Sequence, residues 1–223
     1  MTDQPRFELF AFWRTSATYR VRVAMALKGL TATETQVNLI AGGQHDPAFL
    51  AVNPMAAIPA LIDRAPGAPD TALTQSLAIL EFLEEMAPIP AILPKDPYAR
   101  ARVRSLALLL AADTHPFITP RMRKALGTVA AVDDAAWKTW QTNFLTMGLQ
   151  SFEKRLAEPG TGRFCHGDTP GLADICLASI VVVVRIFGIT VLGIPTVDRI
   201  IAECETLPAF IQADPMKQVG APG

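Results

Sequence analysis

Three hydroxyl side chains lie close together near the amino end of the chain. They belong to Thr15, Ser16 and Thr18, and Arg14 directly precedes them. Serine and threonine at the start of a helix pattern are ordinary N-caps, which accept a hydrogen bond from the first helical turn. A helix start also offers free N–H groups and the positive end of its dipole, and both stabilise an anion such as a thiolate. The spacing alone favours the capping role and leaves anion binding open.

Two further segments could contribute to a binding site. Ile58 and Pro59 precede an apolar run, where a proline commonly begins a strand, and a small share of X-Pro bonds are cis. Gln75 and Ser76 precede a helix pattern. Ser76 either caps that helix or, together with the helix start, holds a carboxylate.

For the candidate site residues in the second half of the sequence, a structural role explains the pattern at least as well as a functional one. Asp174 follows Gly171 at the spacing of an acidic partner at a helix start, which favours a folding signal. A polar, proline-containing break between His115 and Arg121 fits a surface turn and a site equally well. The three histidines are isolated, and the sequence contains no metal-binding, nucleotide-binding or serine-hydrolase motif. We therefore expect no metal site.

Composition limits the possible partners. The chain has 223 residues, a net charge of −1 and only 18% charged residues, which argues against binding to the phosphate backbone of nucleic acids. Its three cysteines are widely spaced and odd in number, which is typical of a reducing compartment. No signal peptide is evident, and the longest apolar run is too short to cross a bilayer. We expect a cytoplasmic protein that binds neither nucleic acid nor membrane.

The elements that must position these residues change in type along the chain. The first part alternates between strand and helix patterns in the order βαβαββα. Its predicted elements are residues 7–12, 16–28, 32–39, 46–52, 59–62, 71–73 and 75–86. Four prolines in residues 88–97 indicate a linker.

Helical periodicity dominates the rest of the chain. The predicted helices are residues 98–126, 133–157, 171–187, 196–205 and 208–213. The sequence therefore predicts an α/β domain over residues 1–87, a linker over 88–97 and an all-helical domain over 98–223.

This order of domains resembles the glutathione S-transferase superfamily, in which the α/β domain is thioredoxin-like, and its zeta class in particular. The class motif Ser-Ser-Cys-x-Trp-Arg-Val-Arg aligns with Thr-Ser-Ala-Thr-Tyr-Arg-Val-Arg at residues 15–22. The resemblance covers essentially the whole chain. The other segments that carry it are residues 52–62, 74–85, 92–97, 113–123 and 166–177.

The resemblance implies glutathione as the cofactor, with catalysis at the first helix. Thr15 would replace the serine that activates the thiol, Ser16 would be the second serine, and Ala17 stands at the cysteine position. Arg14 would stabilise charge on the substrate. The resemblance also implies a homodimer and five further glutathione-binding positions, which are Gln44, Ile58, Pro59, Gln75 and Ser76.

The substrate is the open question. Isomerases of this class bind a dicarboxylate, which requires arginine side chains. Arg14 and Arg121 match two such positions, but Ile186 occupies the third and Arg185 is adjacent to it. Trp13 and Phe117 would contribute to an apolar lining together with Ile186.

Three functions follow in order of preference. The first is a zeta-like glutathione S-transferase that activates the thiol for addition to a small electrophile. The alternative is a cis–trans isomerase of maleylacetoacetate or maleylpyruvate that uses glutathione catalytically. The third is a non-catalytic binding protein with the same fold, because a fold alone does not determine function.

Overall fold

The alternating patterns of the first part form a four-stranded mixed sheet with helices against it. The computed structural model describes residues 5–222. The elements of this part are β1 (Phe7–Ala11), α1 (Ser16–Leu27), β2 (Ala32–Gln36), a 3₁₀ helix (Gly43–His45), α2 (Pro47–Val52), β3 (Ala60–Asp63), β4 (Leu73–Thr74) and α3 (Ser76–Met86). The predicted order βαβαββα is confirmed, with shorter second and fourth strands than expected.

The strands lie in the order β2-β1-β3-β4. β1 and β2 are parallel, which requires the crossover through α1, and β3 is antiparallel to both β1 and β4. Phe10 near the end of β1 pairs with Ala60 at the start of β3, and Ala60 pairs with Thr74 at the end of β4. The loops that follow β1, β2 and β4 and the loop that precedes β3 therefore share one edge of the sheet.

The rest of the chain is helical, as expected. Its elements are α4 (Pro97–Ala111), a 3₁₀ helix (His115–Ile118), α5 (Pro120–Ala130), α6 (Asp134–Leu156), α7 (Leu172–Ile186), α8 (Pro195–Cys204), α9 (Pro208–Gln212) and a final 3₁₀ helix (Pro215–Lys217). α7 packs against α4 and α8, and most of its side chains are buried.

One predicted helix is wrong. Residues 98–126 form α4, a separate 3₁₀ helix and the start of α5 rather than a continuous helix. Pro116 and Pro120 each lack the N–H group that a helix interior requires, and each begins a new helical segment instead. The polar break seen in the sequence is therefore a real interruption of the helix.

The chain divides into two compact units at positions that differ from the expected domains. Within the described residues, the first unit contains residues 5–92 and 207–222, and the second contains residues 93–206. Residues 207–223 belong with the sheet because α9 packs on α1 and buries Ala209 and Phe210. α1 also contacts α3, so most of its side chains are buried. The last part of the expected all-helical domain is thus a component of the first unit.

A buried ion pair attaches the start of the expected linker to the first unit. The Lys28 ammonium lies 2.7 Å from a carboxylate oxygen of Glu84 and also donates to the carbonyls of Ala87 and Pro90. The same Glu84 oxygen accepts from the backbone N–H of Ile92. A buried charge is tolerated where it is paired and hydrogen-bonded, as both are here.

Within residues 5–222, every helix is too short or too polar to span a membrane.

Candidate active site

The sheet edge described above gathers the predicted site residues of the first unit. Thr15 and Ser16 follow β1, and Gln44 lies in the 3₁₀ helix after β2. Ile58 and Pro59 directly precede β3 and are joined by a cis peptide bond. Gln75 and Ser76, directly after β4, complete the set, so residues scattered over sixty positions emerge from one edge.

Thr15 occupies the N-cap position of α1 but its side chain does not cap the helix. Its Oγ1 instead donates to Oγ1 of Thr18 at 2.6 Å, with a longer contact of 3.4 Å to the carbonyl of Phe12. The capping role that the spacing favoured is therefore wrong. The N–H groups of the first turn lack a side-chain acceptor and retain the positive end of the helix dipole.

Two polar atoms at this edge are buried without a partner. Ser16 is 2% exposed and its Oγ has no hydrogen-bond partner among residues 5–222; the same holds for Oε1 of Gln44. A buried polar atom left unsatisfied costs roughly 1–3 kcal/mol. Such atoms suit a ligand that brings its own hydrogen-bonding groups.

An arginine on α1 forms hydrogen bonds that fix the loop between β1 and α1. The Arg22 guanidinium forms two hydrogen bonds of 2.7 Å with the Glu34 carboxylate and a third, of 3.3 Å, to the carbonyl of Trp13. Trp13 is buried, and the Arg14 guanidinium lies over its ring at 5.6 Å from the centroid. Arg14 is exposed and has no carboxylate partner in the part of the chain that the structure describes, so its charge is available to a ligand.

The start of α3 combines backbone strain with a buried hydroxyl. Gln75 has a φ of 66°, which costs a residue other than glycine of order 1–3 kcal/mol. The buried Oγ of Ser76 accepts a hydrogen bond of 2.9 Å from Nε of Arg20 on α1. This bond occupies an acceptor position of Ser76 and leaves its own proton to donate elsewhere.

Sequence reasoning placed Thr18 in this region without a role of its own and gave no site role to Arg20 or Arg22. All three lie on α1, most of whose side chains are buried, and each is polar. A polar side chain on a buried helix must find a partner, which is the signal that could have identified them.

The predicted substrate-side residues lie in the second unit. Phe117 stacks on Phe144 with ring centroids 4.5 Å apart, and its carbonyl accepts from the indole N–H of Trp140 at 2.8 Å. Arg121 is exposed in the first turn of α5, four residues after Phe117. The aromatic contacts therefore fix the segment that carries Arg121.

Ile186 is the last residue of α7 and is half-buried. The neighbouring Arg185 is exposed and forms an ion pair with Glu205 at the end of α8. This pairing gives Arg185 a structural partner, so it does not simply replace the arginine that the resemblance places at position 186.

Asp174 has the folding role expected from the sequence. Its carboxylate oxygens accept from the backbone N–H groups of Cys165 and Gly171, both at 2.8 Å. Burial raises the pKa of Asp174, and these two hydrogen bonds oppose the rise. Burial also raises the pKa of the Cys165 and Cys204 thiols, so both stay protonated.

The family is shown by comparison with known proteins. Residues 5–85 match the family model described as glutathione S-transferase, N-terminal domain. The chain is 38% identical to maleylacetoacetate isomerase of Rhizobium meliloti, over 93% of this chain and 95% of that protein.

Two solved structures are similar over nearly their whole length. Maleylacetoacetate isomerase from Methylobacterium extorquens, with bound malonate and glutathione, is 45% identical with a TM-score of 0.92, over 97% of this chain and 100% of that one. The holo form of maleylpyruvate isomerase, a bacterial zeta-class glutathione S-transferase, is 36% identical with a TM-score of 0.90, over 96% and 100%. These identities, which extend over nearly the whole chain, agree with the mixed sheet and with cis-Pro59 at its edge. The chain therefore belongs to the zeta class of the glutathione S-transferase family.

Proposed function

We propose that this enzyme binds glutathione at the edge formed by the ends of β1, β2 and β4 and uses its thiol to isomerise a small cis-unsaturated dicarboxylate. The observation that carries the proposal is the start of α1. Hydroxyls there are not used to cap the helix, and a buried one lacks a partner. The class to which the chain belongs consists of enzymes, which argues against the non-catalytic alternative.

The available polar atoms fit glutathione. Ser76 has a proton to donate at a helix start, which suits the carboxylate of the γ-glutamyl unit beside the Gln75 amide. The backbone of Ile58, just outside β3, would pair with the cysteinyl unit next to Pro59. The unpartnered Oε1 of Gln44 requires a donor, such as a peptide N–H, and its amide nitrogen suits the glycyl carboxylate.

The residues at α1 would hold negative charge on sulfur. Thr15 and Ser16 are hydrogen-bond donors at the positive end of a 12-residue helix. Together these groups favour a thiolate over a thiol at this point. Glutathione, when bound, supplies a nucleophile that adds reversibly to the substrate double bond and is recovered unchanged.

Arginine side chains would hold the substrate. Arg14 is exposed beside Thr15 and has no carboxylate partner within residues 5–222, so it can bind a substrate carboxylate or stabilise enolate-like charge. From the resemblance alone, we propose Arg121 as the second carboxylate-binding group and Phe117, Trp13 and Ile186 as the apolar lining. The malonate bound to the Methylobacterium extorquens relative is itself a dicarboxylate, which supports this substrate class.

A second candidate is a transferase that leaves glutathione attached to a less charged electrophile. Ile186 favours it, because an apolar residue stands where an arginine is expected and Arg185 is already paired with Glu205. In this reaction the same α1 hydroxyls would activate the thiol, but a leaving group would depart from the substrate.

The glutathione-dependent cis–trans isomerisation of maleylacetone distinguishes the two. We expect a fast rate that disappears without glutathione and falls when Arg14 is replaced by Ala. Glutathione binding without isomerisation would contradict the isomerase and support the transferase. A lack of glutathione binding at millimolar concentration would contradict both.

We also infer a homodimer and a cytoplasmic location. The exposed face of α4 carries apolar or small side chains at helical spacing, which suits contact with a second subunit. These residues are Tyr98, Ala101, Ser105 and Leu108. The three cysteines are free and buried, as expected of a reducing compartment. Light scattering of the purified protein tests the first inference, since a monomer at micromolar concentration would contradict it.

A further inference from the structure

Thr18 lies in the first turn of α1, and its hydroxyl bonds differently from those of three threonines further inside helices. Thr128, Thr139 and Thr142 each donate to the carbonyl four residues earlier, which is the usual arrangement for threonine in a helix. Thr18 is fully buried on α1, yet its Oγ1 accepts from Thr15 at 2.6 Å instead. Its hydroxyl is thus directed to the side chain that we propose to activate the thiol.

A count of protons shows what the pair can do. Two hydroxyls carry two protons, and one of them makes the bond between Thr15 and Thr18. With Thr15 as the donor, the Thr18 proton has no acceptor among residues 5–222. If both hydroxyls rotate, Thr18 donates to Thr15, and the Thr15 proton has only the long, 3.4 Å contact with the Phe12 carbonyl, which a ligand can replace. The number of hydrogen bonds within the pair is the same in either direction.

We propose that Thr18 is a positioning residue whose hydroxyl is the donor of this 2.6 Å hydrogen bond when glutathione is bound. Its hydroxyl donates to Oγ1 of Thr15, and Thr15 donates its own proton to the glutathione thiolate. A hydroxyl that accepts a hydrogen bond becomes a stronger donor, because hydrogen bonds in a chain polarise one another. No covalent bond is formed or broken when the hydroxyls rotate. The inference rests on the proposed function, since it requires a thiolate beside Thr15.

The test is the pKa of the glutathione thiol when it is bound to the protein. Ultraviolet thiolate absorbance is followed against pH for the wild type, Thr18→Val and Thr18→Ser. Valine keeps the shape of threonine without its hydroxyl, whereas serine keeps the hydroxyl. We expect the pKa of the bound thiol to rise by about 0.5–1 unit in Thr18→Val. This rise corresponds to a part of the free energy of one charge-assisted hydrogen bond. Thr18→Ser should restore the wild-type value.

Controls separate this mechanism from a loss of packing. Thr139→Val removes a threonine hydroxyl from an exposed position on α6 and should leave the bound thiol pKa unchanged. If Thr18→Val does not fold, Thr18→Ala provides the same loss of the hydroxyl. Equal thiol pKa values in the wild type and in the variant that lacks the hydroxyl would overturn the inference. A wild-type protein that leaves the thiol pKa at its free value would overturn the proposed function as well.

Discussion

The helices α1 and α7 begin in opposite ways. At the start of α7, the Asp174 carboxylate accepts from two backbone N–H groups and is completely buried, so the chain supplies its own anion. At the start of α1, Thr15 occupies the cap position but leaves the first turn without a side-chain acceptor, and Ser16 has no partner. Neither helix has a side-chain cap at its N-cap residue, and both starts carry the positive end of a helix dipole. The difference is the Asp174 carboxylate in the first turn of α7, which accepts from the N-cap residue Gly171 and from Cys165 outside the helix.

The difference shows which helix start serves the fold and which serves a ligand. An anion from the protein itself stabilises the native state permanently. The buried Ser16 Oγ, which has no partner within residues 5–222, reduces stability until a ligand with a matching group binds, and the strained Gln75 nearby adds to that cost. This cost supports the proposal that glutathione binds at the start of α1.

Removing Asp174 should give the largest effect, and it should fall on stability. Asp174→Ala leaves the buried N–H of Cys165 and the half-buried N–H of Gly171 without an acceptor, so we expect a loss of about 2–5 kcal/mol in the free energy of unfolding. Asp174→Asn keeps one acceptor oxygen and should lose less. Chemical denaturation measures the unfolding free energy of both variants. A value for Asp174→Ala within about 1 kcal/mol of the wild type would contradict the claim that Asp174 stabilises the fold.

Replacing Thr15 should affect activity instead. Thr15→Ala removes the donor to sulfur, and we expect kcat/KM for the glutathione-dependent reaction to fall about 100-fold, as for the loss of a preorganised donor. The unfolding free energy should fall by roughly 1–3 kcal/mol, because no cap is lost but the buried Thr18 hydroxyl loses its hydrogen-bond partner. Steady-state kinetics and denaturation of the same preparation provide the comparison. Equal rates for Thr15→Ala and wild type would refute the assignment.

Ser16→Ala should have a smaller effect on activity, of about tenfold in kcat/KM, since Thr15 remains. Without glutathione, this variant should be as stable as the wild type or more stable by up to about 1 kcal/mol, because it removes a buried oxygen without a partner. Thermal melting in the absence of glutathione measures this change. A marked loss of stability would mean that the hydroxyl serves the fold after all.

Modification of the cysteines should have the smallest effect. Burial raises the pKa of Cys165 and Cys204, so almost no reactive thiolate is present at neutral pH, and Cys176 is buried as well. We expect the native protein to react slowly with a thiol reagent and to keep its activity, while the unfolded chain exposes all three thiols. Rapid loss of activity on alkylation of the native protein would indicate a catalytic thiol, contrary to Ala17 at the class's cysteine position.

Local patterns predicted much of the fold because apolar periodicity reports which face of an element is buried. They did not predict which element covers that face, so the packing of α9 on α1 required the structure. The resemblance supplied residues for the site, but the bond between Arg20 and Ser76 joins positions 56 residues apart, which no local pattern contains. The hydrogen-bond partner of the Thr15 hydroxyl could not be predicted from the sequence either, since both a backbone N–H and a neighbouring side chain were possible partners.

Proton release on glutathione binding tests the central claim most directly. The protein and glutathione are mixed in weakly buffered solution near neutral pH with an indicator dye. Free glutathione is mostly a thiol under these conditions, so binding as a thiolate at α1 predicts the release of nearly one proton per site. Thr15→Ala should release fewer protons at saturating glutathione. Saturable binding to the wild type without proton release would contradict the account.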